Sequence, residues 1–151
     1  MIKKAVLKDA ESIYKLINSF ADKRLMLSRS LNYVYEKIRE FWVYKQKGRV
    51  IGCSSLNVVG WQDLAEIKSL AVDKKYQRKG IGGLLVKACL KEAKTLGVER
   101  VFVLTYKPAF FRRLGFNAIK KEKLPHKIWS DCLNCSEFPE CKEEALIKRI
   151  K

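Results

Sequence analysis

The stretch Tyr76-Gln77-Arg78-Lys79-Gly80-Ile81-Gly82-Gly83 runs amide and basic side chains into three glycines, and an apolar helical pattern follows it. A strand, a glycine turn and a helix N-terminus together form a place for an anion. Backbone N–H groups point outward there, the helix dipole adds positive potential, and glycine lets a ligand approach the backbone closely. The candidates are a phosphate, a nucleic acid, or nothing beyond a tight strand-to-helix turn. The Walker pattern is absent, and the dinucleotide fingerprint fails because Leu85 stands at its third glycine. A second group is His126-x5-Cys132-x2-Cys135-x5-Cys141, four soft ligands in number enough for a tetrahedral zinc. It has a single C-x-x-C pair, so a redox pair and small residues pinning a loop stay open as readings. His126 could equally lie at a substrate mouth. Cys53 and Cys89 read as core, and Trp42, Trp61 and Trp129 as packing or rim residues.

The elements that must position these groups follow from periodicity. Residues 2–7 read as a strand, and Asp9 as the N-cap of a helix with Ile13, Leu16, Ile17 and Phe20 on one face. Ser30 can cap a second helix whose shared face is Leu31, Val34, Tyr35 and Ile38. Two strands joined at Lys47-Gly48 make a hairpin, and "LAEIKSLAV" is a further, central strand. The helix after the elbow spans Gly82 to Leu96, with Gly97 as its stop. "RVFVLT" reads as a buried strand, "PAFFRRLGF" as a short helix opened by Pro108, and "FNAIKKE" and "EALIKRI" as the last strands. The order predicts one α/β domain over residues 1–151, with a mixed, mostly antiparallel sheet flanked by helices.

Composition limits what such a domain does. Apolar residues make up 48% and aromatics 11%, enough for a packed core. No apolar run is long enough to cross a bilayer, and the N-terminus lacks a signal core, which points to the cytoplasm and away from a membrane. Five cysteines are an odd number for a secreted disulfide framework. Lys and Arg number 32 against 16 Asp and Glu, so the field of this +16 chain favours anionic ligands. The lysines are scattered, however, as on a solvated surface. Stacking strands, a helix-turn-helix signature and a dense basic face are all missing, so nucleic acid is not expected as a partner.

The segment Gln77-Arg78-Lys79-Gly80-Ile81-Gly82, after the "SLAVD" strand end, resembles the pyrophosphate motif Q/R-x-x-G-x-G/A of the GCN5-related N-acetyltransferase superfamily. "AEIKSLAV" ahead of it, and "VFVLT" and "PAFFRRLGF" behind it, continue the resemblance in the same order. It implies that fold and acetyl-CoA as co-substrate, with no metal. The pyrophosphate would lie on the N–H groups of residues 78–83, so that Gln77, Arg78, Lys79, Gly80, Ile81, Gly82 and Gly83 bind the coenzyme. The pantetheine arm would pair with the Leu70-Ala71-Val72 backbone, and N–H groups near Leu70 would hold the oxyanion. Glu66 would serve as the base, acting through water. One departure is that Phe111 stands where many members have the tyrosine that protonates the leaving thiolate. Tyr106 could replace it, or the thiolate could leave without help, since a thiol pKa is only about 8.5.

"MLSRSLNYVYEKIREFWVYKQKGRVIGCSSL", "DLAEIKSLAV", "LTYKPAFFRRLGF" and "KLPHKIWSDCLNCSEFPECKEEALI" together look like the stand-alone amino-acid N-acetyltransferases of arginine biosynthesis, the short N-acetylglutamate synthases. That resemblance implies L-glutamate as acceptor and Arg29 as the contact for a substrate carboxylate, a role that suits a forked guanidinium. Lys127 and Arg112 are further candidates for a second carboxylate. Ser28 stands where such enzymes often carry proline, and the amino-acid-kinase-like domain of the longer synthases is not expected here. Acetylation of a protein N-terminus or lysine is the alternative, and a homodimer is left open.

Overall fold

A computed structural model describes residues 1–59, 63–124 and 143–151. Among the described residues seven strands hydrogen-bond in the order β1-β2-β3-β4-β5-β7-β6. They are β1 (Ile2–Lys4), β2 (Phe41–Gln46), β3 (Arg49–Val58), β4 (Leu64–Val72), β5 (Arg100–Thr105), β6 (Asn117–Ala118) and β7 (Glu144–Arg149). The helices are α1 (Ala10–Ala21), α2 (Leu31–Glu36), α3 (Ile81–Leu96) and α4 (Pro108–Arg113). The element order matches the one read from periodicity. The chain packs as two compact units, one of residues 1–56 and 67–91, the other of residues 57–66 and 92–151.

In the first unit β1 and β2 pair antiparallel, as do β2 and β3. The β2–β3 turn has φ of 53° at Lys47 and 75° at Gly48, the two positive values that a tight hairpin turn needs. Ile13 and Ile17 of α1 are fully buried with Val34, Phe41, Val43 and Cys53. Burying each such aliphatic side chain contributes about 1.5–3 kcal/mol, which fixes α1 and α2 in place. Ser30 caps α2 as expected, its hydroxyl accepting from the Tyr33 N–H at 3.0 Å.

Asp9 behaves differently from expectation. It makes no side-chain cap on α1. Its carboxylate accepts from the Val6 N–H at 2.9 Å and pairs with Lys45 Nζ at 2.8 Å. The short turn over Leu7–Asp9, absent from the sequence reading, lifts Asp9 back toward the chain entering it, where a cation from β2 is waiting.

In the second unit β4 runs parallel to β5 from Leu64↔Arg100 to Glu66↔Phe102, and β5 runs antiparallel to β7 over its whole length. Leu64, Phe102, Leu124 and Ala145 form its buried cluster. The strand expected over "FNAIKKE" shrinks to Asn117–Ala118, both exposed. With no buried face to reward pairing, only the residues opposite Leu146 and Ile147 stay in register.

Candidate active site

The elbow is built from the end of β4 outward. Asp73 ends the strand; its N–H donates to the Ile51 carbonyl at 2.8 Å and its carboxylate accepts from the Lys75 N–H at 3.0 Å. Gln77 turns back, donating from Nε2 to the Val72 carbonyl at 2.9 Å, so its side chain braces the turn. Arg78 and Gly80 both adopt left-handed backbone, φ 64° and 83°, which brings the chain round sharply into α3. The first helical bond runs from the Leu84 N–H to the Gly80 carbonyl at 3.1 Å. By helix geometry the N–H groups of Ile81, Gly82 and Gly83 have no acceptor within α3. Among the described residues, a Cβ at Gly80 or at Gly83 would meet nothing within 4 Å. Arg78 and Lys79 stand exposed just ahead of Gly80, with Lys79 Nζ 5.6 Å from the Tyr76 ring centroid.

What holds the helix end there is apolar. Ile81 and Leu85 bury against Ile51, with Leu70, Val72 and Tyr76 packed around them. Gly52 permits this approach. A Cβ at that position would lie 3.1 Å from Leu85 Cδ1 and 3.3 Å from Ile81 Cγ2. Gly52 is a positioning residue that the sequence reading missed, because its partners are about thirty positions away and no turn marks it.

Next to the elbow, β4 is distorted. Ser69 takes φ 55°, a left-handed value that costs a non-glycine residue on the order of 1 kcal/mol. The ladder bonds give the cause. From Ile51 to Val59 β3 advances eight steps, while from the Leu64 partner to the Asp73 partner β4 advances nine. The additional residue is a β-bulge. Two side chains of β3 meet it: the Ser55 hydroxyl donates to the Lys68 carbonyl at 3.2 Å and the Cys53 thiol donates to the Ser69 carbonyl at 3.4 Å. Burial pushes the Cys53 thiol from 9.0 up to about 12, the Ala71 backbone hydrogen bond opposes this, and Cys89 nearby adds to it. Cys53 thus touches the chain on both sides of Leu70.

Arg29 lies in the loop before α2, held from two directions. Its carbonyl accepts from Asn18 Nδ2 at 2.9 Å and its N–H donates to Asn18 Oδ1 at 3.3 Å, so one amide side chain of α1 clasps its backbone. Its guanidinium stacks over the Tyr33 ring at 4.6 Å. Holding both ends of a long side chain removes much of the entropy that binding would otherwise lose. A cation prepared in this way suits a carboxylate.

The other candidates are placed as follows. Glu66 sits in β4, 5% exposed, at the last residue in register with β5. Phe111 is buried in α4, its ring edge-to-face with Phe110 and Phe116, and serves as core. Arg112 is about half exposed and lies 3.7 Å from Glu144, an ion pair on the surface of the second unit. Lys127 and the group His126, Cys132, Cys135 and Cys141 lie outside the described residues. Among the described residues no cluster of three or more metal-binding side chains occurs, and no helix is long and apolar enough to cross a membrane.

A mixed sheet carrying a bulged β4, with a glycine elbow leading into α3, defines an acyl-CoA-type transferase fold, and comparison with known proteins agrees. The acetyltransferase (GNAT) family matches residues 7–116, and the chain belongs to that family. It is an acetyl-CoA-dependent N-acetyltransferase. An uncharacterized N-acetyltransferase of Chlorobaculum tepidum is 42% identical over 99% of this chain and 96% of its own length. The amino-acid acetyltransferase of Mycobacterium tuberculosis is 35% identical over 87% of this chain and 76% of its own. The N-acetylglutamate synthase of Neisseria gonorrhoeae, solved with coenzyme A and N-acetyl-glutamate, superposes with a TM-score of 0.91 at 26% identity. That match covers 100% of this chain but 35% of the Neisseria one.

Proposed function

We propose that this enzyme transfers the acetyl group of acetyl-CoA to the α-amine of a free amino acid, L-glutamate first among them, yielding N-acetyl-L-glutamate and CoA. This would be the opening step of arginine biosynthesis, carried out in the cytoplasm by residues 1–151 as one acetyltransferase domain. The observation that carries the acceptor is Arg29, whose backbone is clasped by Asn18 and whose guanidinium is stacked on Tyr33. A polyamine, itself cationic, offers no reason to prepare a cation. An amino-acid carboxylate does, and the likeness to amino-acid acetyltransferases supports the same reading.

The roles follow from the chemistry. The pyrophosphate lies on the N–H groups of residues 78–83, and the pantetheine arm pairs with the edge of Leu70–Val72. The neutral amine attacks the thioester carbonyl, forming the C–N bond as the carbonyl oxygen becomes an oxyanion beside the Leu70 N–H. Collapse breaks the C–S bond and releases the CoA thiolate, and no protein acid is required because a thiolate is a stable leaving group. The amine's surplus proton passes through water to Glu66.

The test is mass-spectrometric acetylation of the twenty amino acids, a short peptide and a polyamine by the purified protein with acetyl-CoA. N-acetylglutamate as the main product supports the proposal. Another acetylated amino acid keeps the class and changes the acceptor, and acetylated peptide alone overturns it.

A further inference from the structure

The bulge in β4 raises a question that acetyl transfer itself does not answer: what keeps it in place? In an extended strand successive carbonyls point to opposite sides. Here the carbonyls of Lys68 and Ser69, consecutive residues, both accept from side chains of β3. The alternation is therefore broken at Ser69, the residue with φ 55°. In a planar trans peptide the C=O and the following N–H point opposite ways. The Ser69 carbonyl faces Cys53, so the Leu70 N–H faces away from β3. Cys53 and Ser55 are two residues apart on β3, hence on one face of it, and both are fully or almost fully buried. Neither belongs to the glycine elbow, to the acceptor cation or to the base.

We propose that Cys53 and Ser55 are positioning residues for acetyl transfer, holding the Lys68 and Ser69 carbonyls toward β3 so that the Leu70 amide is turned out as donor to the thioester oxygen. A left-handed serine has no conformational reason of its own to persist, and these two bonds offset its cost. Their geometry is set before substrate arrives, which is what a preorganised oxyanion donor requires. The inference rests on the reading of the Leu70 amide given above.

The experiment compares two coenzyme analogues by calorimetry. One is the ketone in which methylene replaces the thioester sulfur of acetyl-CoA; the other is the same molecule with its carbonyl reduced to methylene. Wild-type protein is expected to bind the ketone roughly three- to tenfold more tightly, the worth of one hydrogen bond. In Cys53→Ala/Ser55→Ala that preference falls to about one, affinity for the reduced analogue stays within about twofold, and kcat drops roughly 10- to 100-fold. Cys53→Ala alone loses most of the preference while Cys53→Ser, which keeps a donor at the same place, retains it, and this pair serves if the double variant does not fold. No ketone preference in wild type would remove the Leu70 reading. A wild-type preference that survives in the double variant, or a Cys53→Ser protein no better than Cys53→Ala, would overturn the inference alone.

Discussion

The elbow before α3 and the loop bearing Arg29 both offer positive charge to an anion, and they are built in opposite ways. On the proposed reading the ligand-facing groups at the elbow are backbone N–H donors, while Gln77, the most motif-like side chain, is turned back onto the Val72 carbonyl. At Arg29 the donor is a side chain, and its neighbours Asn18 and Tyr33 hold it by the backbone and by the ring face. A backbone site depends on shape, so it tolerates most side-chain truncation and fails when something fills it. A side-chain site fails when one residue is shortened.

The most severe way to test this contrast is to fill the elbow. Gly82→Trp should abolish detectable coenzyme binding, a loss beyond roughly 100-fold in Kd by calorimetry, with the circular dichroism of the folded protein retained. Lys79→Ala at the same elbow should cost less than about fivefold, because that side chain is exposed and adds only screened charge. Equal losses in the two variants would place the anion on side chains.

Glu66 offers a case between the two. Glu66→Gln should lower kcat roughly 100-fold, the common worth of a general base. The deficit should widen as pH falls, because less of the amine is then neutral and more must be deprotonated on the enzyme. A pH profile parallel to that of the wild type would strip Glu66 of the role.

Arg29→Ala should raise the KM for the amino acid by roughly 10- to 100-fold, the equivalent of a charged hydrogen bond, and leave the KM for acetyl-CoA within about twofold. A matching rise in both constants would mean that the loop and the elbow are not separate binding devices.

The last expected effect concerns stability. Burial holds the Cys53 thiol at about 12 in the folded protein against 9.0 ordinarily. A raised folded pKa stabilises fully below the unfolded value and is lost as pH rises through the interval to the folded one. Urea unfolding should therefore show wild type losing stability relative to Cys53→Ser between pH 9 and the alkaline limit of the assay, at up to about 1.4 kcal/mol per pH unit. Coincident pH curves for the two proteins would show that the thiol ionises as readily folded as unfolded.

Much of this molecule was legible in its sequence. Local signals carry the helices, the Lys47-Gly48 hairpin and β4, whose bounds at Leu64 and Val72 agree with the "LAEIKSLAV" run. Periodicity and turn chemistry are properties of neighbours, so they are written in neighbouring residues. The elbow was legible for the same reason, since a strand end, a glycine turn and a helix start adjoin one another. Asp9 does stand at the N-cap position of α1, but its carboxylate is drawn away from the helix by Lys45, which comes from a different element. β6 is shorter than its run of residues suggests, because strand length depends on what an edge residue can bury.

What the sequence by itself determined, then, is the order of elements, the apolar faces of α1 and α3 and the glycine turn on which the proposed anion site is built. Tertiary structure alone decided that Gly52 admits Ile81 and Leu85, that Asn18 clasps Arg29, and that Cys53 and Ser55 hold the bulge at Ser69. Each of those joins residues at least eleven positions apart, and three-dimensional packing, to which no local propensity refers, is what brings them within bonding distance.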